Sequence, residues 1–116
     1  MHEDPCTWDL CSILQSSDVE GAVWSTGGSD LNVNLVRFEG ENGIDEHVNR
    51  EVDVLGVVLE GEGVLVVDGR LSRLRAGVAF YIPRGSRRSI RSAGHRVAYL
   101  TCHRRRAGLL PSRTRG

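Results

Sequence analysis

The sequence predicts an all-β protein that folds as a single barrel or sandwich. Short runs rich in valine, leucine and isoleucine alternate with turns that contain glycine or proline, at the close spacing typical of such folds. The 116 residues, of which 40% are hydrophobic, suffice for one domain with a modest core. We therefore expect about eight or nine short strands and almost no helix.

Residues 1–30 are predicted to form an N-terminal arm with a possible short helix. Within it, Cys6–Leu14 carries four apolar side chains at spacings compatible with one or two turns of helix, and Asp4-Pro5 is a suitable start. An irregular arm packed on the body fits the same pattern, so both arrangements remain open. Ala22–Trp24 predicts a short strand, which is followed by a loop at Ser25–Asp30.

Residues 31–103 contain the predicted strands of the barrel. Leu31–Phe38 begins with alternating apolar and polar side chains, as in a strand with one buried face. Val54–Leu59 is short, aliphatic and rich in β-branched residues, which predicts a strand buried on both faces. Gly61-Glu62-Gly63 is expected to end that strand, and a second strand begins at Val64.

Asp68-Gly69 is a strong turn signal, because an Asp-Gly pair between two strand-like runs favours a two-residue hairpin. Further strands are predicted after it at Arg70–Arg75, Val78–Ile82, Arg87–Arg91 and Arg96–His103. Turns at Pro83-Arg84-Gly85 and Ser92-Ala93-Gly94 separate the last three strands.

The charges of the chain are segregated along its length although they sum to zero. All 15 acidic residues lie between positions 3 and 68, while 13 of the 15 basic residues lie from Arg70 onward. Such an acidic half and basic half can pair within a subunit or across a symmetric dimer. Residues 104–116 are predicted to form a basic tail. This tail lacks interleaved aromatic residues, and no helix-turn-helix pattern precedes it, so nucleic-acid binding is disfavoured.

Composition also bears on location and redox state. No apolar run approaches the ~20 residues needed to cross a bilayer, so we expect no membrane partner. Met1–Pro5 is acidic, where a signal peptide would be basic and then apolar. The cysteines, Cys6, Cys11 and Cys102, show no CxxC spacing, so neither a disulfide framework nor a thiolate zinc site is indicated. We expect a cytoplasmic protein with reduced thiols.

Two motifs give the chain a resemblance to a known family. The first is carried by Gly43, His47-Val48-Asn49 and Leu59-Glu60-Gly61, and the second by Gly77, Pro83-Arg84-Gly85 and Arg88. With these motifs, residues 31–103 resemble the small single-domain cupins of the RmlC-like type. The resemblance implies a double-stranded β-helix, or jelly-roll barrel, with a short N-terminal arm, and it also implies a homodimer.

Cupins usually hold a divalent metal with three histidines and one glutamate, and the resemblance assigns these places to His47, Asn49, Val54 and Arg88. Only the first is retained: valine cannot coordinate a metal, asparagine is a weak ligand, and a protonated guanidinium repels a cation. We therefore expect no cofactor and no tightly held metal. The alternative is a rearranged divalent site. Its candidate ligands are His47, Asn49, Glu51 and His103.

Arg88 suggests a different use of the barrel. In place of a metal-binding histidine it puts a fixed cation among apolar side chains, which predicts a site for a carboxylate, enolate or phosphate. Pairing of Arg88 with Glu51 or another acidic residue would close such a pocket, and the sequence leaves both arrangements open. The predicted ligand-binding residues are His47, Asn49, Val54, Val58, Phe80, Ile82 and Arg88.

The sequence therefore predicts a cupin-fold protein that binds a small anionic or polar molecule, as a binding or sensing module with a degenerate metal site. Two enzymatic alternatives remain. One is a metal-dependent dioxygenase or isomerase with rearranged ligands. The other is metal-free acid-base catalysis by His47, since an imidazole can exchange a proton near neutral pH.

Overall fold

The computed structural model describes residues 6–106, which fold into one short helix and seven strands that pair antiparallel. The helix, α1, spans Leu10–Gln15. The strands are β1 Gly21–Gly27, β2 Leu31–Glu39, β3 Gly43–Val48, β4 Val54–Val67, β5 Arg70–Arg75, β6 Ala79–Ile82 and β7 Arg87–Arg104. This jelly-roll barrel with a short N-terminal arm confirms the predicted fold class. Across residues 6–106, no helix combines the length and the apolar character needed to span a membrane.

Two long strands, β4 and β7, run through both halves of the barrel. The first half of β4 pairs with β6 and with the end of β7, which also pairs with β2, and β2 pairs with β1. The second half of β4 pairs with β5 and with the beginning of β7, whose other neighbour is β3. The inner faces of these two half-sheets share one core. Its buried members are Val36, Val52, Val54, Val58, Leu65, Leu74, Phe80, Ile82, Ile90, Val97 and Tyr99.

Strand β4 bends at Gly61 but does not end there. Its register with β7 shifts between Gly61 and Gly63, which marks a bulge. Gly61 has a φ of 80°, and a Cβ at this position would lie 1.9 Å from the carbonyl oxygen of Arg96. The prediction of two strands separated by Gly61-Glu62-Gly63 is therefore wrong, because glycine here allows one continuous strand to bend.

Two of the other turn predictions have different outcomes. The hairpin at Asp68-Gly69 is confirmed: these residues have φ values of 50° and 81°, as in a type I′ turn, and they join β4 to β5. The turn at Ser92-Ala93-Gly94 does not end a strand, because β7 continues through it. The predicted strands Arg87–Arg91 and Arg96–His103 are thus parts of the single strand β7.

The N-terminal arm packs on the outer face of the sheet through α1. The helix begins after Asp9, whose carboxylate accepts a hydrogen bond from the backbone N–H of Ser12 (3.1 Å) and so caps the helix. Leu14, on the opposite side, is buried against β2 and β7. The predicted helix within Cys6–Leu14 therefore exists, but it begins and ends later. The start proposed at Asp4-Pro5 lies outside the described residues.

Arg37, on the outer face of β2, fastens the arm to the sheet. Its side chain is 3% exposed. It donates hydrogen bonds to the carbonyl oxygens of Leu14 (2.6 Å), Val19 (3.2 Å) and Ser17. These carbonyls lie at and beyond the end of α1, where backbone acceptors lack partners within the helix. One guanidinium thus satisfies carbonyls at the end of the helix through its two Nη groups, whereas its Nε is buried without a partner among the described residues.

The arm covers the outer face only in part. Leu55 is 52% exposed, whereas its neighbour Val54, on the inner face of β4, is buried. The prediction that Val54–Leu59 is buried on both faces is therefore wrong, because α1 lies over a different part of the sheet. Leu31 and Tyr81 are also exposed, at 51% and 58%.

The chain remains attached to the barrel at the end of β7, where the basic tail is predicted to begin. Arg104 is the last residue of the strand. Arg105 donates its backbone N–H to the carbonyl oxygen of Asp30 (2.7 Å) and its Nη1 to that of Gly28 (2.9 Å). The remainder of the predicted tail, residues 107–116, lies outside the described residues.

Candidate functional site

A cavity of about 530 Å³ opens between the inner faces of the two half-sheets. Much of its wall consists of core side chains, among them Val54, Leu65, Phe80, Ile82, Ile90 and Tyr99. Its polar lining residues are Asn32, Asn34, His47, Arg88, Ser89, Thr101, His103 and Arg106. Among residues 6–106, no carboxylate side chain lines this cavity. The site is therefore an apolar chamber whose charged lining groups are cationic.

The polar residues of β2 and β7 lie together because the two strands pair in register. Asn34 lies opposite Thr101, and Asn32 lies opposite His103. Since side chains alternate along a strand, all four share the inner face. Further along the same ladder, Val36 pairs with Tyr99, and the lining becomes apolar. The cavity thus has a polar end and an apolar end.

Arg88 brings a buried positive charge into the cavity. The residue is 7% exposed, and its Nε donates a hydrogen bond to Nε2 of His47 (3.1 Å) across the β3–β7 pair. Its Nη1 is buried and has no hydrogen-bond partner among the described residues. Burial, and to a lesser degree the positive charge of Arg106, lower the pKa of Arg88 below its usual value. Arginine nevertheless keeps its proton in proteins, so Arg88 remains positively charged. None of the ion pairs within residues 6–106 includes Arg88, so this charge lacks a counter-ion there.

The contact with Arg88 fixes the proton of His47. A guanidinium has no acceptor, so Nε2 of His47 must accept this hydrogen bond, and the proton of the neutral ring lies on Nδ1. Nδ1 lies 2.9 Å from the carbonyl oxygen of Asp45 and donates to it. In this arrangement both ring nitrogens are occupied, and the lone pair of Nε2 is unavailable to a metal or to a substrate proton.

Comparison with known families identifies the barrel. The family model of the cupin domain, Cupin_2, matches residues 34–103, which is more than half of the chain. The chain belongs to the cupin domain family. The matched segment includes four strands in full, β3 to β6, all of β7 except its last residue, and most of β2. No curated protein is similar enough in sequence to match the chain.

Solved structures share this cupin fold at low sequence identity. BH2720 from Bacillus halodurans has a TM-score of 0.74 and 18% identity, over 91% of this chain and 85% of that one. KdgF from Halomonas sp. has a TM-score of 0.66 and 21% identity, over 71% and 74% of the two chains. The cupin protein BF4112 from Bacteroides fragilis has a TM-score of 0.60 and 24% identity, over 73% of each chain. At these identities the likeness concerns the fold alone.

The residues at the usual cupin metal positions do not fit a metal ion. Arg88 donates to the imidazole nitrogen of His47 that a metal would need. Val54 offers no donor atom, and Oδ1 of Asn49 accepts the backbone N–H groups of Glu51 (2.8 Å) and Val52 (3.3 Å). In the described part of the chain, no three side chains of His, Cys, Asp or Glu form a group that could hold an ion.

The structure brings together most of the residues predicted to bind a ligand. The cavity is lined by His47, Val54, Phe80, Ile82 and Arg88. Asn49 and Val58 are not among its described lining residues: Asn49 stabilises a turn, and Val58 is 1% exposed in the core. The alternative partner of Arg88, Glu51, instead lines a second cavity of about 260 Å³. His103, a candidate metal ligand, lines both cavities.

Sequence reasoning missed two parts of the site. Asn32 and Asn34 line the cavity, and their spacing of two in a strand was a signal that they share one face. Arg106 also lines the cavity, although it was assigned to the tail. No local pattern reveals Arg106, because its position depends on the path of the chain after β7.

Proposed function

We propose that this cupin-fold protein binds a small molecule that carries both an anionic group and an apolar part. The observation that carries the proposal is the buried guanidinium of Arg88, whose Nη1 has no acceptor among the described residues. Burial of an uncompensated charge and of an unpaired donor destabilises a protein, whereas an apolar side chain would fill the same place without that cost. A bound anion supplies the missing acceptor and the missing charge together.

The shape and lining of the cavity support the same proposal. A volume of about 530 Å³ is within the range of small-molecule sites. The apolar wall of core side chains accommodates a hydrocarbon or aromatic part of the ligand, while Asn34, Thr101 and His103 offer hydrogen bonds at the polar end. The ligand would therefore be amphipathic, with its anionic group at Arg88.

Thermal unfolding in the presence of matched anionic and neutral compounds tests the proposal. We expect millimolar benzoate, hexanoate or phenyl phosphate to raise the Tm of the protein, and the neutral benzamide to leave it unchanged. Arg88→Ala should remove the stabilisation. An absence of stabilisation by every anion in the wild type, or an unchanged shift in Arg88→Ala, would contradict the proposal.

Arg87 provides a matched control for that experiment. It precedes Arg88 in β7, faces outward and pairs with Glu46 (3.2 Å), with 64% of its side chain exposed. Arg87→Ala removes the same charge at nearly the same place in the chain without touching the cavity. Its ligand-induced shift should therefore equal that of the wild type, and a loss equal to that in Arg88→Ala would indicate a general charge effect.

The degenerate metal site is part of the proposal, and metal content tests it against the enzymatic alternative. His47 and His103 line the same cavity, so a metal-dependent dioxygenase or isomerase with rearranged ligands is the competing function. Elemental analysis of protein purified without added metal or chelator should return far less than one transition metal per chain. A value near one iron, zinc, nickel or manganese per chain would favour the enzyme.

We also propose a homodimer that uses the uncovered part of the outer face. Leu31, Leu55 and Tyr81 are exposed there, around a cavity that is also lined by acidic Asp53 and basic Arg84. Apolar side chains flanked by both charge signs suit a surface that meets its own copy. Light scattering should give the mass of a dimer for the wild type and of a monomer for Leu55→Arg. A monomeric wild type would refute this interface.

A further inference from the structure

We propose that Arg106 is a second anion-binding residue, and that with Arg88 it makes the cavity select doubly charged phosphate monoesters over singly charged anions. This inference rests on the proposed function and specifies its ligand class. It is carried by the position of Arg106, by the two cations that share one cavity, and by the neutral donors that line the same cavity.

The backbone before Arg106 is fixed to the barrel. Arg105 donates its backbone N–H to Asp30 (2.7 Å) and its Nη1 to the carbonyl oxygen of Gly28 (2.9 Å). These two bonds tie the chain to the loop between β1 and β2, immediately beyond the last residue of β7. Arg106, the next residue, is half-buried and lines the same cavity as Arg88.

The two guanidinium groups form a pair of like charges without a carboxylate partner among residues 6–106. In that part of the chain no carboxylate lines the cavity, and the ion pairs involve Arg87, Arg91 and Arg96. Arg106 is close enough that its charge disfavours the charged form of Arg88. A monoanion between them leaves one positive charge in place, whereas a dianion neutralises both.

The neutral groups at the polar end fit a phosphate better than a carboxylate. A phosphate monoester presents three terminal oxygens, each of which accepts hydrogen bonds, and it carries nearly two negative charges at neutral pH. Thr101 and Asn34 lie opposite each other on this face and supply a hydroxyl and an amide. The apolar wall then receives the organic part of the ester.

A pair of esters of equal shape and unequal charge tests the inference. Phenyl phosphate is a dianion at a pH of about 8, while phenyl sulfate is a monoanion there. We expect the wild type to bind phenyl phosphate about tenfold more tightly, as measured by calorimetry at low salt. Arg106→Gln should reduce this ratio to near one and leave the affinity for phenyl sulfate little changed, while Arg106→Lys should retain part of the preference.

Arg104 supplies the matched control, because it is the exposed last residue of β7 and does not line the cavity. Arg104→Gln removes the same charge two positions away and should keep the wild-type ratio. Equal affinities of the wild type for the two esters, or an unchanged ratio in Arg106→Gln, would overturn the inference and leave anion binding standing. Failure of the wild type to bind either ester would instead overturn the proposed function, and this inference with it.

Discussion

Within residues 6–106, the outer face and the interior of the barrel each bury one arginine. The two arginines differ in the hydrogen-bond acceptors that their terminal nitrogens contact. Arg37 is 3% exposed, and its two terminal nitrogens donate to three backbone carbonyls of the N-terminal arm. Arg88 is 7% exposed, and its recorded partner is a single imidazole nitrogen, that of His47. Among the described residues, the two Nη groups of Arg37 thus have three acceptors while its Nε has none, whereas Arg88 has an acceptor at Nε and none at its buried Nη1.

This difference separates a structural charge from one held for a ligand. Around Arg37 the carbonyl dipoles replace the water lost on burial, so the guanidinium stabilises the fold by joining the arm to the sheet. Around Arg88 the neighbours are mostly apolar, and the carbonyl or carboxylate that would satisfy Nη1 is not among the described residues. Burial alone therefore does not predict the role of an arginine, whereas the partners of its terminal nitrogens do.

The largest effect is expected for Arg37→Met, which keeps most of the side-chain volume but removes the donors. The change leaves the carbonyls of Leu14, Ser17 and Val19 without their partner. We expect the free energy of unfolding to fall by about 3 kcal/mol, as measured by urea denaturation. Anion-induced stabilisation should persist in the folded variant. A loss of less than about 0.5 kcal/mol would show that Arg37 does not hold the arm in place.

The interior of the barrel is expected to lose stability when side-chain volume is added to it, and Gly56→Ala tests this. A Cβ at Gly56 would lie 2.2 Å from Cζ of Phe80, whose ring lines the cavity and packs edge-on against Tyr99 at 5.8 Å. The ring must move, so we expect a loss of about 2 kcal/mol in the free energy of unfolding and weaker ligand binding.

Gly28→Ala is the control for that substitution. A Cβ at Gly28 would have no neighbour within 4 Å. The free energy of unfolding should therefore stay constant or rise by less than about 1 kcal/mol, because alanine restricts the unfolded chain. If the two variants were equally stable, the contact between Gly56 and Phe80 would not limit the side-chain volume that the core accepts at position 56.

Local patterns in the sequence predicted the parts of the molecule that local physics determines. The hairpin at Asp68-Gly69 follows from backbone preferences at two positions, and the inner-face positions of Phe80 and Ile82 follow from strand alternation. These features need no knowledge of how distant segments meet. Arg88 and His47 are 41 residues apart, and their proximity was instead implied by the resemblance to the cupin motifs.

The errors arise where distant segments decide the outcome. Leu55 was predicted to be buried, but it is exposed because the arm covers another part of the sheet. Asn49 was predicted to face the ligand, but its amide oxygen accepts nearby backbone N–H groups in a local turn. Long-range packing and local competition of this kind are not visible in strand periodicity.

Arg88→Met tests whether the buried arginine of the interior, unlike Arg37, is dispensable for the stability of the fold. The substitution removes an incompletely paired buried charge and restores an apolar lining, while the imidazole of exposed His47 can bond to water instead. We expect the free energy of unfolding in the absence of ligand to stay the same or rise by about 1 kcal/mol. Stabilisation by anions should be lost. A destabilisation equal to that of Arg37→Met would mean that Arg88 has a structural role as well.

The smallest effect is expected for a partly exposed charge on the outer face, at Asp53. Its pKa is lowered by the hydrogen bond from the hydroxyl of Tyr81, and by that from the backbone N–H of Arg84 (2.8 Å). Tyr81→Phe removes the first donor, so the pKa of Asp53 should rise toward 3.8, as followed by NMR titration of its carboxyl carbon.

Because the folded-state pKa is below that of the unfolded chain, the contact stabilises the protein above the unfolded-state pKa, and this contribution is lost as the pH falls through the folded-state pKa. The stability difference between wild type and Tyr81→Phe should therefore be present at neutral pH and vanish in acid. A stability difference that persists unchanged in acid would show that packing around Tyr81, rather than its hydrogen bond to Asp53, accounts for the difference. An exposed carboxylate that keeps its water gains little from one donor, whereas a buried guanidinium that has lost its water depends on every acceptor it can reach.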